Sequence, residues 1–321
     1  MHLRTVPALL AGTFLILLML SAGCLAAEER RSDLNPAGSL SLTFFNVGQG
    51  DACLLQSGGK TMLIDAGPWE AGPVIADWLK SRNISTLDIL FLTHPHSDHI
   101  GGVPSLLKRV TVREILDNGD THTSPSYEQY IRAVEKSRAP YHAVSARDII
   151  DLTPGLTIRV LHPDKRLGED INDNSAVLLI STGSRNFLLM GDAGKEVEYR
   201  IMEEETGIDA DLLKVGHHGS RHSSGREFIT RVSPEIAIIS LAADNEYGYP
   251  QRDPIQYLTK AGAEIYRTDT AGTITVQSDG TDLSVQAGDE ISDTRDCSCS
   301  ALREFCGGAA GDIHPCCTAC G

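Results

Sequence analysis

His94-Pro95-His96-Ser97-Asp98-His99 is the stretch on which the reading of this chain turns. It sets three imidazoles and one carboxylate within six residues, just after the apolar run Ile89-Leu90-Phe91-Leu92. That run reads as a buried strand. A strand ending in such a cluster delivers several ligating groups to one rim of a sheet. Neutral imidazole and carboxylate suit zinc, manganese or iron. Four such groups on one tight turn do not easily converge on a single tetrahedron, so the spacing favours two adjacent ions. A polar surface loop is the rival reading of any short motif, and the remainder of the chain weighs against it.

Two further strand ends carry the same kind of group. Gly191-Asp192-Ala193 follows the apolar run Phe187-Leu188-Leu189-Met190. Lys214-Val215-Gly216-His217-His218-Gly219-Ser220 closes another run with two imidazoles. Alone, Gly-Asp is an ordinary turn, and paired histidines in a Gly-rich loop read as a solvated turn. Their shared placement at strand C-termini makes convergence on one site the expectation.

Around these motifs, residues 40–46, 52–56 and 61–65 read as antiparallel strands, with turns at Gly48-Gln49-Gly50-Asp51 and Gly58-Gly59. A helix is expected over 72–82, with Val74, Ile75, Trp78 and Leu79 at helical spacing, then a strand over 87–93 and helices over 102–110 and 125–138. Strands follow over 156–161, 176–181 and 186–190, and a helix over 195–205. The pattern then alternates: strand 211–215, helix 225–232, strand 236–240, helix 254–262, and closing strands near 264–266, 272–277 and 283–286. Strands and helices mixed through both halves predict an α/β (α+β) chain built as a layered αββα sandwich.

The chain has 321 residues, 41% hydrophobic and 22% charged, enough for a sizeable core. Its formal charge of -15 argues against a broad basic face that grips nucleic acid. Cleavage of nucleic acid at a local metal centre stays open, because bound ions supply positive charge of their own.

Residues 1–27 read as a targeting segment: Arg4, an uncharged apolar run over 9–20, then Ser21-Ala22-Gly23-Cys24. The run over 6–27 is also long enough for a single membrane anchor. Ala22-Gly23-Cys24 resembles a lipoprotein cleavage site with Cys24 as the lipidated residue; Ser21 departs from the aliphatic residue usual there. Each version predicts a protein that is secreted or anchored to the outer face of the cytoplasmic membrane. Residues 28–39 read as a tether, and 288–321 as an acidic linker and Cys-rich tail. The tail holds Cys297, Cys299, Cys306, Cys316, Cys317 and Cys320. In an exported chain these read as three disulfides, with a zinc or iron–sulfur site, joined by His314, as the alternative. Cys53 lies in an apolar strand and reads as an inert core thiol.

At its motifs the chain resembles the metallo-β-lactamase superfamily, and within it the hydrolase domain of ComEC-type competence (DNA-internalisation) proteins. The matching residues are Phe45 to Ala52, Leu63-Ile64-Asp65-Ala66-Gly67, Thr93 to Gly102, Asn172-Asp173-Asn174-Ser175, Gly191-Asp192, Lys214 to Ser220, and Asn245-x-Tyr247-Gly248-x-Pro250. The resemblance implies a four-layer αββα sandwich, with the hydrolase domain over 40–287, and a centre of two divalent ions. By the family pattern His94 and His96 hold one ion and Asp98 and His99 the second. Asp192 bridges them, and His217 or His218 completes the second site. Asp98 also orients the nucleophile.

The chain departs from the lactamases where their pattern supplies a His ahead of the Asp192 strand. Here that segment is Asn172-Asp173-Asn174-Ser175, as is usual in the competence-type branch. The first site is therefore expected to be oxygen-rich or more open, which favours manganese over zinc. His162, the only nearby imidazole, reads as structural. Family members also commonly carry Asp at Asn46 and His at Tyr249. Ser220, Arg221, Ser223 and Asn174 are candidate substrate contacts, with helix capping before residue 226 the alternative for the Ser/Arg cluster.

The function expected is an exported metal-dependent hydrolase. It would be a phosphodiesterase or nuclease acting on DNA or surface phosphodiesters through a hydroxide shared by two ions about 3.5–4 Å apart. Hydrolysis of C–N or ester bonds, as by lactamases or lactonases, is a second hypothesis, disfavoured by the missing His. An envelope-anchored, non-catalytic binding module whose tail contacts a partner is a third.

Overall fold

Three apolar layers organise residues 39–289, the part of the chain that the computed structural model describes. The first half runs β1 (Leu40–Phe44), β2 (Cys53–Ser57), β3 (Lys60–Ile64), α1 (Ala71–Ser81), β4 (Thr86–Leu92), α2 (Ser97–Ile100), α3 (Val103–Leu106), β5 (Thr111–Asp117), α4 (Pro125–Ser137) and β6 (Tyr141–Ala143). Then come β7 (Ile149–Ile150), β8 (Leu156–His162), β9 (Val177–Thr182), β10 (Arg185–Leu189), α5 (Lys195–Glu204), β11 (Leu212–Lys214), α6 (Arg226–Val232) and β12 (Ile236–Ile239). The last elements are α7 (Arg252–Ala261), β13 (Glu264–Arg267), α8 (Thr268–Ala271), β14 (Thr273–Ser278) and β15 (Leu283–Asp289).

The strands form two sheets, ordered β15-β14-β1-β2-β3-β4-β5-β6 and β13-β12-β11-β10-β9-β8-β7. Within β4, Ile89 and Phe91 enter the core between the sheets, while Leu90 and Leu92 pack under the helices. Burial on both faces is why this strand reads as an unbroken apolar run. The inter-sheet core also takes Leu42, Phe44, Ile158, Leu178 and Phe187. A second core joins the first sheet to α1, α3 and α4, and a third joins the second sheet to α5, α6 and α7. These three interfaces are those of the expected αββα sandwich. Cys53 is a free thiol buried in the inter-sheet core, as its apolar neighbours indicate.

Each sheet changes from antiparallel to parallel partway across. β3, β4, β5 and β6 are parallel neighbours, as are β10, β11, β12 and β13. The C-terminal ends of β3, β4, β10, β11 and β12 all feed one rim. Ligand sites of α/β sheets gather at such carboxyl ends.

Several elements differ from expectation. The helix expected over 102–110 is the shorter α3, and the separate short helix α2 before it was not expected. A Cβ at Gly102, between the two, would lie 2.1 Å from the Ala66 carbonyl oxygen, so the chain there is pressed onto the loop after β3. β5, β6, β7 and α8 carry no clear sequence pattern. β5 begins on exposed and charged residues, and β6 is an exposed three-residue edge. β15 runs to Asp289, two residues past the expected domain end at 287. Among the described residues, no helix is long and apolar enough to cross a membrane. Cys24, the targeting segment, the tether up to residue 38 and the six tail cysteines lie outside the described residues.

Candidate metal centre

The rim gathers every ligating side chain expected from the sequence. His94 leaves the end of β4, His96 caps α2, and Asp98 and His99 sit on it. The turn is clamped from behind: Asp51 N donates to the Asp98 carbonyl (3.1 Å) and Ala66 N to that of His99 (2.8 Å). Asp192 follows β10, and its backbone N–H donates to Ser175 Oγ at 3.0 Å. His217 and His218 follow β11, both with left-handed backbone, φ 49° and 53°. Two adjacent non-glycine residues in that region store strain of about 1–3 kcal/mol each. The turn is held by His217 N donating to the Gly191 carbonyl (3.1 Å) and by Ser223 Oγ donating to the carbonyls of Gly216 (2.6 Å) and Ser220 (3.1 Å).

One donor group converges on Asp192: Asp98, His99, Asp192 and His218 each offer an atom within 4.8 Å of the others. His218 Nε2 lies 3.3 Å from Asp98 Oδ2 and 3.6 Å from Asp192 Oδ2. Outside that group, Asp192 Oδ2 also lies 4.0 Å from His94 Nε2 and 3.9 Å from His217 Nε2. His96 Nδ1 stands 3.0 Å from that same His94 nitrogen. Of the two histidines left open by the sequence, His218 joins Asp98 and His99, while His217 approaches the same Asp192 Oδ2 from outside that group. The nearest ligating neighbour of His94 is thus another imidazole, that of His96, and the Asn172–Ser175 segment, from which an oxygen-rich or more open first site is expected, adds no side chain there. That segment instead braces the Asp192 turn, through Ser175 and through Asp173 Oδ1 accepting from Gly194 N at 2.9 Å.

The donor set fits a cation. His99 Nε2, His218 Nε2 and Asp192 Oδ1 are buried without a hydrogen-bond partner. The tautomers, assigned from the network, leave those nitrogens bare. His99 Nδ1–H donates to Asp65 Oδ2 at 2.7 Å, and His218 Nδ1–H to the Ser240 carbonyl at 2.8 Å. Thr93 Oγ1–H donates to Asp65 Oδ2 (2.8 Å) and can accept from His94 Nδ1–H (3.2 Å), which leaves His94 Nε2 without a proton, its lone pair toward His96 Nδ1. Such outer partners orient ligating imidazoles. Burial drives the His94 imidazole well below its ordinary pKa. Burial acts the same way on His99, but the carboxylates of Asp192, Asp65 and Asp98 outweigh it and raise that imidazole. Asp192 moves well below the usual carboxylate range: burial opposes this, and the charges of His218 and His99 prevail. The carboxylates thus favour positive charge at His99 and His218, whereas burial lowers His94, His96 and His217.

Behind the cluster, Lys214 Nζ pairs with Asp51 Oδ2 at 2.9 Å, and both side chains are buried. Asp51, Asp65, Thr93, Lys214 and Ser240 thus form a supporting layer to which the sequence reading gave no role. A signal existed for Asp65, which ends a strand before Ala-Gly much as Asp192 ends one after Gly. His122 was also missed; its ring stands 5.9 Å from His96 at the rim.

The expected substrate contacts divide. Ser220 and Ser223 are fully buried, and their hydroxyls bond within the His217-His218 turn. Asn174 is buried with its amide bonded to Asp120 (2.7 Å) and to the Gly168 backbone. These three cannot meet a substrate. Nor do the serines cap α6: Glu198 accepts the N–H groups of Ser224 and Gly225 there. Arg221 is exposed beside the turn. His162 Nε2 bonds the Asp173 carbonyl at 2.7 Å, a structural role as expected.

The sequence signature of the metallo-beta-lactamase superfamily matches residues 45–243. ComE operon protein 3 of Bacillus subtilis is 33% identical over 248 residues, covering 71% of this chain and 32% of that protein, in line with the competence-type resemblance. Ribonuclease Z of Bradyrhizobium is 31% identical over 103 residues, 32% of this chain and 33% of the enzyme. The chain thus spans about a third of the length of these curated relatives. The metallo-beta-lactamase fold protein YhfI from Bacillus subtilis superposes with a TM-score of 0.51 at 16% identity, covering 78% of this chain and all of that one, which shows the shared fold. With this fold and these donor groups at its rim, the chain belongs to the metallo-β-lactamase superfamily of metal-dependent hydrolases.

Proposed function

We propose that this protein is a two-metal phosphodiesterase that cleaves nucleic acid outside the cytoplasmic membrane. The observation that carries the reading is one buried carboxylate, Asp192, whose Oδ2 lies within 4.0 Å of the Nε2 atoms of His94, His217 and His218. In this reading His94, His96 and His217 with Asp192 would hold one divalent ion, and Asp98, His99 and His218 with Asp192 would hold the other. When bound, such a pair acidifies a water nucleophile and neutralises charge developing on a phosphoryl group.

The protein's own side chains do the rest. Asp65 and the Ser240 carbonyl hold His99 and His218 with their Nε2 lone pairs facing inward. The Asp98 side chain is 30% exposed and that of His217 21%, whereas those of His94, His99 and His218 are buried, so the cluster opens on the Asp98 and His217 side. Asp98 is the carboxylate at that opening and is placed to accept a proton from the attacking water. Arg221 is a nearby exposed cation for a phosphate oxygen. The competence-type and ribonuclease relatives support nucleic acid as substrate. The apolar segment within residues 1–27 supports export or anchoring.

The test is metal analysis of the purified full chain, then a panel with zinc and with manganese. The panel holds bis-p-nitrophenyl phosphate, single- and double-stranded DNA, nitrocefin and a lactone. Metal-dependent DNA cleavage, lost in Asp98→Ala and His99→Ala, is the expected result. Turnover of nitrocefin or the lactone with every phosphodiester left intact overturns the reading.

A further inference from the structure

Past the donor cluster, the loop over 242–251 carries aromatic rings outward to solvent. The Tyr249 ring lies 6.5 Å from that of His218 at an interplanar angle of 27°, and meets His217 edge-on at 5.8 Å. Tyr247 then stacks on Tyr249, with centroids 5.3 Å apart and planes within 18°. Tyr247 is 55% exposed, so the outer end of the stack is open. The ladder starts on two candidate metal donors and ends at a free aromatic surface.

The loop holding these rings is tied down at both ends. Asn245 Nδ2 donates to the carbonyls of Ala242 and Tyr249, each at 2.8 Å, and its Oδ1 accepts from Tyr249 N at 2.8 Å. Gln251 N donates to the Gly219 carbonyl at 2.9 Å. Gly219 has φ +80°, and a Cβ there would meet Pro250 Cβ at 2.7 Å, so the loop seats directly on the His217-His218 turn. Rings held this way lose little freedom when a ligand docks. Core packing does not account for Tyr247, whose ring is mostly in water.

We propose that Tyr247 and Tyr249 form a stacking subsite for an unpaired nucleobase flanking the phosphodiester at the metal centre. The identity of the ligand rests on the phosphodiesterase reading. A pair of near-parallel rings extends by one more flat ring. A quaternary ammonium group is instead enclosed by several aromatic faces, which this single open face does not provide. In a duplex the base faces already stack on each other, so the subsite selects single strands or unpaired ends. The charge of -15 leaves little basic surface to follow a phosphate backbone. Base stacking, which is sequence-tolerant, then supplies the grip that Lys and Arg supply elsewhere.

The test measures binding separately from cleavage. Fluorescence anisotropy of the full chain, in chelator and then with manganese or zinc, compares a labelled oligothymidine with an abasic strand of equal length and with a duplex. Wild type should bind the oligothymidine about ten-fold more tightly than the abasic strand. Tyr247→Ala should erase that ratio, and Tyr247→Trp should restore it. Tyr247 is exposed, so these variants keep the core intact. Equal affinity for the two strands, a ratio that survives in Tyr247→Ala, or displacement by phosphocholine but not by a mononucleotide overturns the subsite. Base-dependent binding with no phosphodiester cleavage under any metal overturns the phosphodiesterase reading and leaves the subsite standing. Cleavage without base dependence does the reverse.

Discussion

Replacing Asp65 with Asn keeps the side-chain volume and removes one acceptor from the layer behind the metal centre. Asp65 receives three donors: Thr93 N (2.8 Å), Thr93 Oγ1 (2.8 Å) and His99 Nδ1 (2.7 Å). A carboxylate serves all three with two oxygens. The amide of Asn has one oxygen and a donor group: its nitrogen faces Thr93 N if it replaces Oδ1, and both Thr93 Oγ1 and His99 Nδ1 if it replaces Oδ2. If the amide nitrogen turns to His99, the ring adopts the Nε2–H tautomer and its inward lone pair is lost. The backbone tolerates the change: Asp65 sits at φ 59°, and Asn accepts the left-handed region well. Loss of an outer-layer partner typically weakens metal affinity about 10–100-fold, or about 1.4–2.8 kcal/mol. The expected result for Asp65→Asn is a dissociation constant raised by that factor, read by competition with a chromophoric chelator. Thermal melts of the metal-stripped proteins check that the variant folds. An affinity within about two-fold of wild type would refute the claim that Asp65 sets the His99 tautomer.

Other consequences can be measured on the same protein. Lys214→Met strands the buried Asp51 carboxylate and should cost about 3–5 kcal/mol in urea unfolding; the Asp51→Asn/Lys214→Met pair should recover most of it, and a single-variant loss below about 1 kcal/mol would show the pair to be weak. Burial pushes the Glu198 carboxyl from its ordinary 4.5 up to about 7, against the Gly225 and Ser224 N–H groups that favour its charged form. The folded state therefore binds this proton more tightly, so the Glu198 contribution is fully present below about 4.5 and is lost as pH rises through about 7, by about 3 kcal/mol in all. Glu198→Gln should remove that slope, and parallel stability profiles from pH 5 to 8 would contradict the assignment. Gly102→Ala places a Cβ 2.1 Å from the Ala66 carbonyl oxygen and should cost about 1–3 kcal/mol, seen as a lowered Tm; an unchanged Tm would mean that α2 and α3 can shift.

How far the sequence carries depends on the range of each contact. The layer order was legible because strands buried on both faces, such as β4 and β12, read as apolar runs, and α1 shows helical spacing. The short edges β6 and β7 were not, since they bury little of their own surface and exist only by pairing with β5 and β8. The site divides the same way. His94, His96, Asp98 and His99 lie on one turn, and proximity in sequence announces them. Their partners Asp65, Lys214 and Ser240 arrive from β3, β11 and β12, and no spacing links residues joined only through a folded rim. The sequence likewise leaves His217 and His218 indistinguishable. Two successive left-handed residues bring His218 into the group with Asp98 and His99 and leave His217 outside it, and that backbone is stabilised by Ser223 and by the Gly191 carbonyl. Ser220 and Ser223 show the converse error. Hydroxyls beside a histidine pair look like phosphate contacts, yet a strained turn needs internal donors first. The polar residues nearest the candidate ligands in sequence are therefore spent on holding the turn, which leaves Arg221 at the turn's surface and Tyr247 on the loop that rests against it as the proposed substrate contacts.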